Sequence, residues 1–144
     1  MANVSKRSLG AHVQLWTAAI DYTELDAAGT TETITLFTLP ANAVLLGGAE
    51  VEVTTLFADA GSISALTIQV GSSGDPNSLF TATGVFTGDT AARLPGIYPV
   101  EVGDGLAVKA LFTATGANLG DGAGTTDLDA GRCVVRVPFM VMPD

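Results

Sequence analysis

The sequence predicts an all-β fold, an antiparallel jelly-roll-like sandwich of about eight strands with an extended N-terminal arm, and three observations predict it. Apolar and polar residues alternate with a period of two: Val51 and Val53 with Glu50 and Glu52, then Leu66, Ile68 and Val70 with Ala65, Thr67 and Gln69. That is the period of half-buried strands. Dense clusters of turn formers separate such runs, the densest being Gly71-Ser72-Ser73-Gly74-Asp75-Pro76-Asn77-Ser78. Finally, no long segment keeps apolar residues at i, i+3, i+4 and i+7 with helix caps, and the alanines fall beside threonines and glycines.

Taken in order, residues 1–10 read as a flexible arm and 11–144 as a single sandwich domain. The first strand is expected over 11–19, with order beginning near Ala11 and carried by Val13, Leu15, Trp16 and Ile20. Trp16, the only tryptophan, is expected as a core anchor, because a large ring with one polar atom is costly to leave in water. The polar segment 21–32 leads into a strand over 33–39, where Ile34 and Leu36 point one way and Phe37 and Leu39 the other, so that the run is able to bury both faces. Pro40 ends it, since proline cannot donate to a ladder. Residues 44–57 predict one long strand bent at Gly47-Gly48, glycine inside a strand pattern being the mark of a bulge. Asp59-Ala60-Gly61 reverses the chain into a strand over 63–70.

After the loop at 71–78, a short strand is expected over 79–86, a loop over 88–96 and a strand over 97–102 whose Pro99 suits an edge. Val102-Gly103-Asp104-Gly105-Leu106 reads as a hairpin, because Asp-Gly supplies the positive dihedrals of a tight turn. The strand that follows, to Thr113, puts Leu106, Val108, Ala110 and Phe112 on one face. A Gly- and Asp-rich loop over 115–131 precedes the last strand, 132–142, whose apolar side carries Cys133, Val135, Val137, Phe139 and Val141. The expected core is Val51, Val53, Leu66, Ile68, Val70, Leu106, Val108, Val135 and Val137. Eight strands in 144 residues fit two sheets that supply each other's buried face.

Composition narrows the function. Hydrophobic residues make up 47% and charged residues 15%, against about 25% charged in ordinary soluble domains, so the polar surface comes largely from Thr, Ser, Asn and Gly and suits burial in an assembly. The 15 acidic residues against 6 basic ones, net −9, exclude a nucleic-acid-binding role, which needs clustered cations. Lys6 and Arg7 lie in the arm, where they either contact an acidic neighbour or are solvated. Cys133 is the only cysteine, so no intrachain disulfide forms, and its place on an apolar strand face marks it as a core filler. No signal-peptide core is evident near the N-terminus, and no apolar run approaches the roughly 18 residues that span a membrane.

The candidate sites are few. Asp121, Asp127 and Asp129, with Asn118, place oxygens in one loop as calcium would require, but the twelve-residue EF-hand order and its bidentate Glu are missing, so a solvated loop is the simpler reading. Glu50 and Glu52 share a strand face as a glycosidase pair might; no third polar group is placed to raise one pKa, so a solvent-facing pair is expected. His12 is the only histidine, no Gly-x-Ser-x-Gly elbow surrounds a serine, and Gly120-Asp121-Gly122-Ala123-Gly124 lacks the lysine and helix of a phosphate loop. No catalytic residue, cofactor or metal is therefore expected.

Three stretches resemble small structural proteins of tailed-bacteriophage virions, most of all head decoration or cement proteins. They are Thr35-Leu36-Phe37-Thr38-Leu39-Pro40-Ala41-Asn42-Ala43-Val44; Thr67-Ile68-Gln69-Val70-Gly71 with Asp75-Pro76-Asn77; and Thr113-Ala114-Thr115-Gly116-Ala117-Asn118 with Leu128-Asp129-Ala130-Gly131-Arg132. The resemblance implies a non-enzymatic protein on the outer surface of the capsid, bound to the major capsid protein and to copies of itself as a homotrimer, without nucleic-acid, membrane or small-molecule partners. It carries over no catalytic residues. A tail, neck or fibre component is the alternative within the virion, and a carbohydrate-binding sandwich the alternative outside it.

Overall fold

In a computed structural model the described residues are 3–8, 13–59, 61–89, 93–95, 101–102 and 104–142. They form eleven strands: β1 (Asn3–Ser8), β2 (Val13–Asp21), β3 (Thr31–Thr38), β4 (Ala43–Leu45), β5 (Glu50–Ala58), β6 (Ala65–Gly71), β7 (Phe80–Gly84), β8 (Arg93–Pro95), β9 (Glu101–Val102), β10 (Ala107–Thr115) and β11 (Ala130–Val141). All named pairings are antiparallel. One sheet runs β1-β2-β11, then β4 and β5 end to end beside β11, then β9 and β8 beside those; the other runs β3-β10-β6-β7. The pairing is nested: β2 with β11, β3 with β10, β4 and β5 with β9 and β8, and β6 with β7. A long hairpin rolled up so that successive strands alternate between two sheets has this order, and it is that of a jelly roll.

The inward faces meet in one core. Ala18, Ile20, Leu45, Val51, Phe57, Cys133, Val135, Val137 and Phe139 from the first sheet pack with Leu66, Ile68, Val70, Val108, Ala110 and Phe112 from the second. All nine residues of the expected core belong here, eight of them buried and Leu106 half-buried at the margin. Trp16 anchors one end, with edge-on ring contacts to Phe37 at 5.6 Å and to Phe139 at 5.0 Å; such contacts add about 0.5–1.5 kcal/mol each beyond area burial. At the opposite end the stretch after β7 stitches the sheets together, the Val85 amide donating to the Leu66 carbonyl while the Phe57 amide donates to Val85.

Several expectations change. In β2, Trp16, Ala18 and Ile20 point inward, Trp16 as the expected core anchor, so Val13 and Leu15 point out and are only half-buried. Leu36 and Phe37, neighbours in sequence, are both buried because the β3–β10 ladder slips between Val108 and Lys109, leaving an extra residue on β3. The long strand over 44–57 is divided. Gly47 and Gly48 take φ of 110° and 94°, so the chain leaves the ladder after Leu45, opposite Phe139, and rejoins it at Glu50, opposite Arg136. The neighbouring edge is divided in the same way, with β8 lying where a loop was expected over 88–96; Ile97 and Pro99 lie outside the described residues.

The Asp104-Gly105 turn is not a hairpin. β9 pairs with β4 in one sheet and β10 with β3 in the other, so the turn carries the chain between sheets. It is held there by Pro40 and Asn42: the Gly105 amide donates to the Pro40 carbonyl, and the Asn42 amide to the Asp104 carboxylate at 3.0 Å. Residues expected as part of a flexible arm include β1, paired with β2 from Asn3 opposite Ala19 to Ser8 opposite Gln14. The ladder satisfies backbone groups that a free arm would leave to water, and Val4 packs against the core.

Candidate interaction surfaces

Lys6 is exposed, and its Nζ sits 4.3 Å from the centroid of the Trp16 ring, the residue directly opposite it on β2. A cation over an indole at an exposed site contributes about 0.5–1 kcal/mol, so Lys6 caps the outermost core aromatic. Arg7 stands opposite Leu15, its side chain outside the described residues, as is His12. Glu50 and Glu52 do share the outer face of the first sheet, and the structure supplies what the sequence reading lacked, a cation between them. Arg136 Nη1 lies 3.0 Å from Glu50 Oε1 and Nη2 3.3 Å from Glu52 Oε1. The guanidinium joins both carboxylates in one ion-paired group on the sheet face.

The acidic loop is built from its own carboxylates. Asp121 Oδ1 accepts from the amides of Ala123, at 2.8 Å, and Thr125, at 3.0 Å, and these bonds, Ala123 first, hold the Asp121 carboxyl below its ordinary value. Asn118 is engaged elsewhere, its Nδ2 donating to the Ala28 carbonyl at 3.2 Å. The loop is tied to the segment after β2 by amides of Leu119, Gly120 and Gly122, which donate to Gly29, Ala27 and Asp26. Among the described residues no group of three or more His, Cys, Asp or Glu side chains is placed to hold a metal ion. Cys133 is fully buried, and burial first, with the Glu24 charge second, pushes its thiol up to about 12.

What the fold does assemble is surface of sharply different kinds. At one end of the sandwich, loops and strand ends bring together Asp21, Glu24, Asp26 and Glu32 beside β2 and β3, Asp59 after β5, Asp89 after β7, and Asp121, Asp127 and Asp129 before β11. Among the described residues Arg132 is the one basic side chain at that end. The outer face of the second sheet is nearly uncharged and mostly polar: Thr31, Thr33, Thr35, Thr67, Thr113 and Gln69 surround Leu111, with Lys109 donating to Ser73 Oγ at 2.6 Å. The outer face of the first sheet is apolar in its half farther from the acidic loops, where Leu15 faces Pro138, and Met140 lies between Val13 and Val44. The alternation of β2 pointed to this face once its register was known.

No protein-family model matches the chain, and no curated protein matches it. Among solved structures the fold is similar to a chain of the Cyanophage Pam1 capsid asymmetric unit, with a TM-score of 0.62 and 18% sequence identity, over 94% of this chain and 89% of that chain.

Proposed function

We propose that this chain is a structural protein of a tailed-phage virion, specifically a decoration protein that binds the outside of the head and stabilises the shell by protein–protein contacts. The observation that supports this most is the likeness of nearly the whole jelly roll, 94% of it, to a chain of a phage capsid asymmetric unit, in a protein whose polar residues converge on structural roles. Arg136 is engaged by Glu50 and Glu52, and Asp121 by its own loop. A nearly uncharged, threonine-rich sheet face and an apolar one are suited to the repeated modest contacts of a lattice. In this reading no cofactor or catalysis is involved, the partners are the major capsid protein and further copies of the chain in a homotrimer, and the outer edge strand β1, with Lys6 and Arg7, lies against an acidic neighbouring subunit.

Cosedimentation with empty heads tests the reading. The protein should saturate heads at a fixed ratio to the capsid protein, and Lys6→Ala with Arg7→Ala should weaken binding, by less at 1 M salt, where exposed charges are screened beyond about 3 Å. Binding to isolated tails and not to heads would replace the reading with that of a tail or neck component.

A further inference from the structure

We propose that the free edge of β3 takes up an extended segment of the shell subunit as an added strand of the second sheet, an inference that rests on the capsid reading. Among the described residues β3 pairs with β10 alone, and the Ala114 amide donates to the Thr30 carbonyl. Opposed residues of an antiparallel ladder alternate between bonded and unbonded positions. With Thr31 opposite Thr113, Glu32 and Ile34 therefore bond to β10, and the backbone N–H and C=O of Thr31 and Thr33 point away from it. Both threonines are exposed. Each offers a donor and an acceptor, at a repeat of about 6.8 Å, and the backbone of another extended chain is what matches that spacing.

The other sheet edges are blunted. β1 carries Lys6 and Arg7, β8 is three residues long and ends in Pro95, β9 has two residues, and β7 has five with a slip in its ladder to β6. Short length, cations, proline and irregular pairing are the ordinary means by which a sheet deters added strands. β3 is eight residues long, and from Thr31 to Thr35 it has no proline, glycine or cation. Its one charged residue there, Glu32, is turned back, Oε2 accepting from the Ala27 amide at 3.1 Å. Ile34 is half-buried at the margin of the core, and a strand laid beside it would complete its burial.

The residues between the threonines select the occupant. A second copy matches poorly, because the antiparallel register that pairs Thr31 of each copy with Thr33 of the other sets Glu32 opposite Glu32, and like charges directly opposite are destabilising. The complement is a segment with a basic residue opposite Glu32 and, two positions away, an apolar one against Ile34.

Cosedimentation of edge variants with empty heads tests this. Thr33→Pro removes an N–H that the β10 ladder does not use, so the circular dichroism spectrum should be kept. Head binding should weaken by about tenfold, since a donor is lost and a carbonyl of the shell segment is left unpaired. Thr33→Ala keeps the amide and should bind as the wild type does. Should Thr33→Pro unfold the chain, Thr31→Pro takes its place, at the first residue of the strand where proline is tolerated. Hydrogen exchange should find the Thr31 and Thr33 amides fast in the free protein and protected on heads. Equal binding by the proline variant and the wild type, equal weakening by Thr33→Ala and Thr33→Pro, or edge amides that stay unprotected on saturated heads overturns the inference and leaves the capsid reading standing. So does a fall in the mass of the free protein in light scattering caused by Thr33→Pro, which would make a second copy the occupant. A wild type that does not bind heads overturns both.

Discussion

Cys133 lies near the start of β11 with its side chain closed off from solvent. With the thiol raised to about 12 from an ordinary 9.0, the neutral form is the one the fold accepts. A raised folded-state pKa contributes stability that is complete below 9.0 and is lost as pH rises from there toward 12, because the unfolded chain ionises first. The native protein should resist thiol reagents at pH 8, and denaturant should expose one reactive thiol per chain; rapid labelling without denaturant would mean that β11 opens. Gly131, two residues earlier, has φ of 139°, and a Cβ there would be driven into the Phe57 ring and backbone. Gly131→Ala should therefore destabilise the fold by about 2–4 kcal/mol, from the strained dihedral and the overpacking together, as measured by urea denaturation. Neither role is visible in sequence: Cys133 reads correctly as core, but Gly131 reads as the end of a loop, because its constraint comes from a residue 74 positions away in the chain.

Among the elements, the loop before β11 shows how carboxylates that suggest a ligand can be consumed by backbone. Asp121 receives two amides across a tight turn, and its pKa is lowered from 3.8 by them. A depressed carboxyl contributes stability present above the unfolded value and lost as pH falls below it. Asp121→Ala should thus melt below the wild type at neutral pH, with the gap closing as pH drops well under 3.8. A gap that stayed constant into acid would mean that the aspartate acts by something other than its charge. The same element-level logic explains Gly47 and Gly48. Their positive dihedrals are legible as an interruption of a strand, but the identity of the partner that keeps both halves in line, β11, is not.

For the whole molecule, the distribution of charge makes a prediction that separates assembly of copies from head binding by salt. Self-association brings together chains of net charge −9, so added salt should strengthen it by screening repulsion. Head binding through β1 uses attraction between Lys6, Arg7 and an acidic neighbour, so added salt should weaken it. Scattering and cosedimentation over the same salt series should move in opposite directions; a parallel response would require one surface to serve both.

The sequence by itself determined the longer strands and, for most of them, the face that each buries, because a period of two is a property of each strand alone. Val51, Val53, Leu66, Ile68, Val70, Val108, Val135 and Val137 needed no partner to be identified as core. It also determined the acidic balance. Only the tertiary structure decided which strands pair, and therefore that Asp104-Gly105 crosses between sheets, that β1 is a paired edge, that a bulge falls at Leu36, and that Val13 and Leu15 lie outside. It also gathered loops far apart in sequence into one acidic end, leaving an apolar half-face away from it. Pairing and register are settled by the fit of the two sheets over a common core, a non-local condition that no single strand's alternation contains.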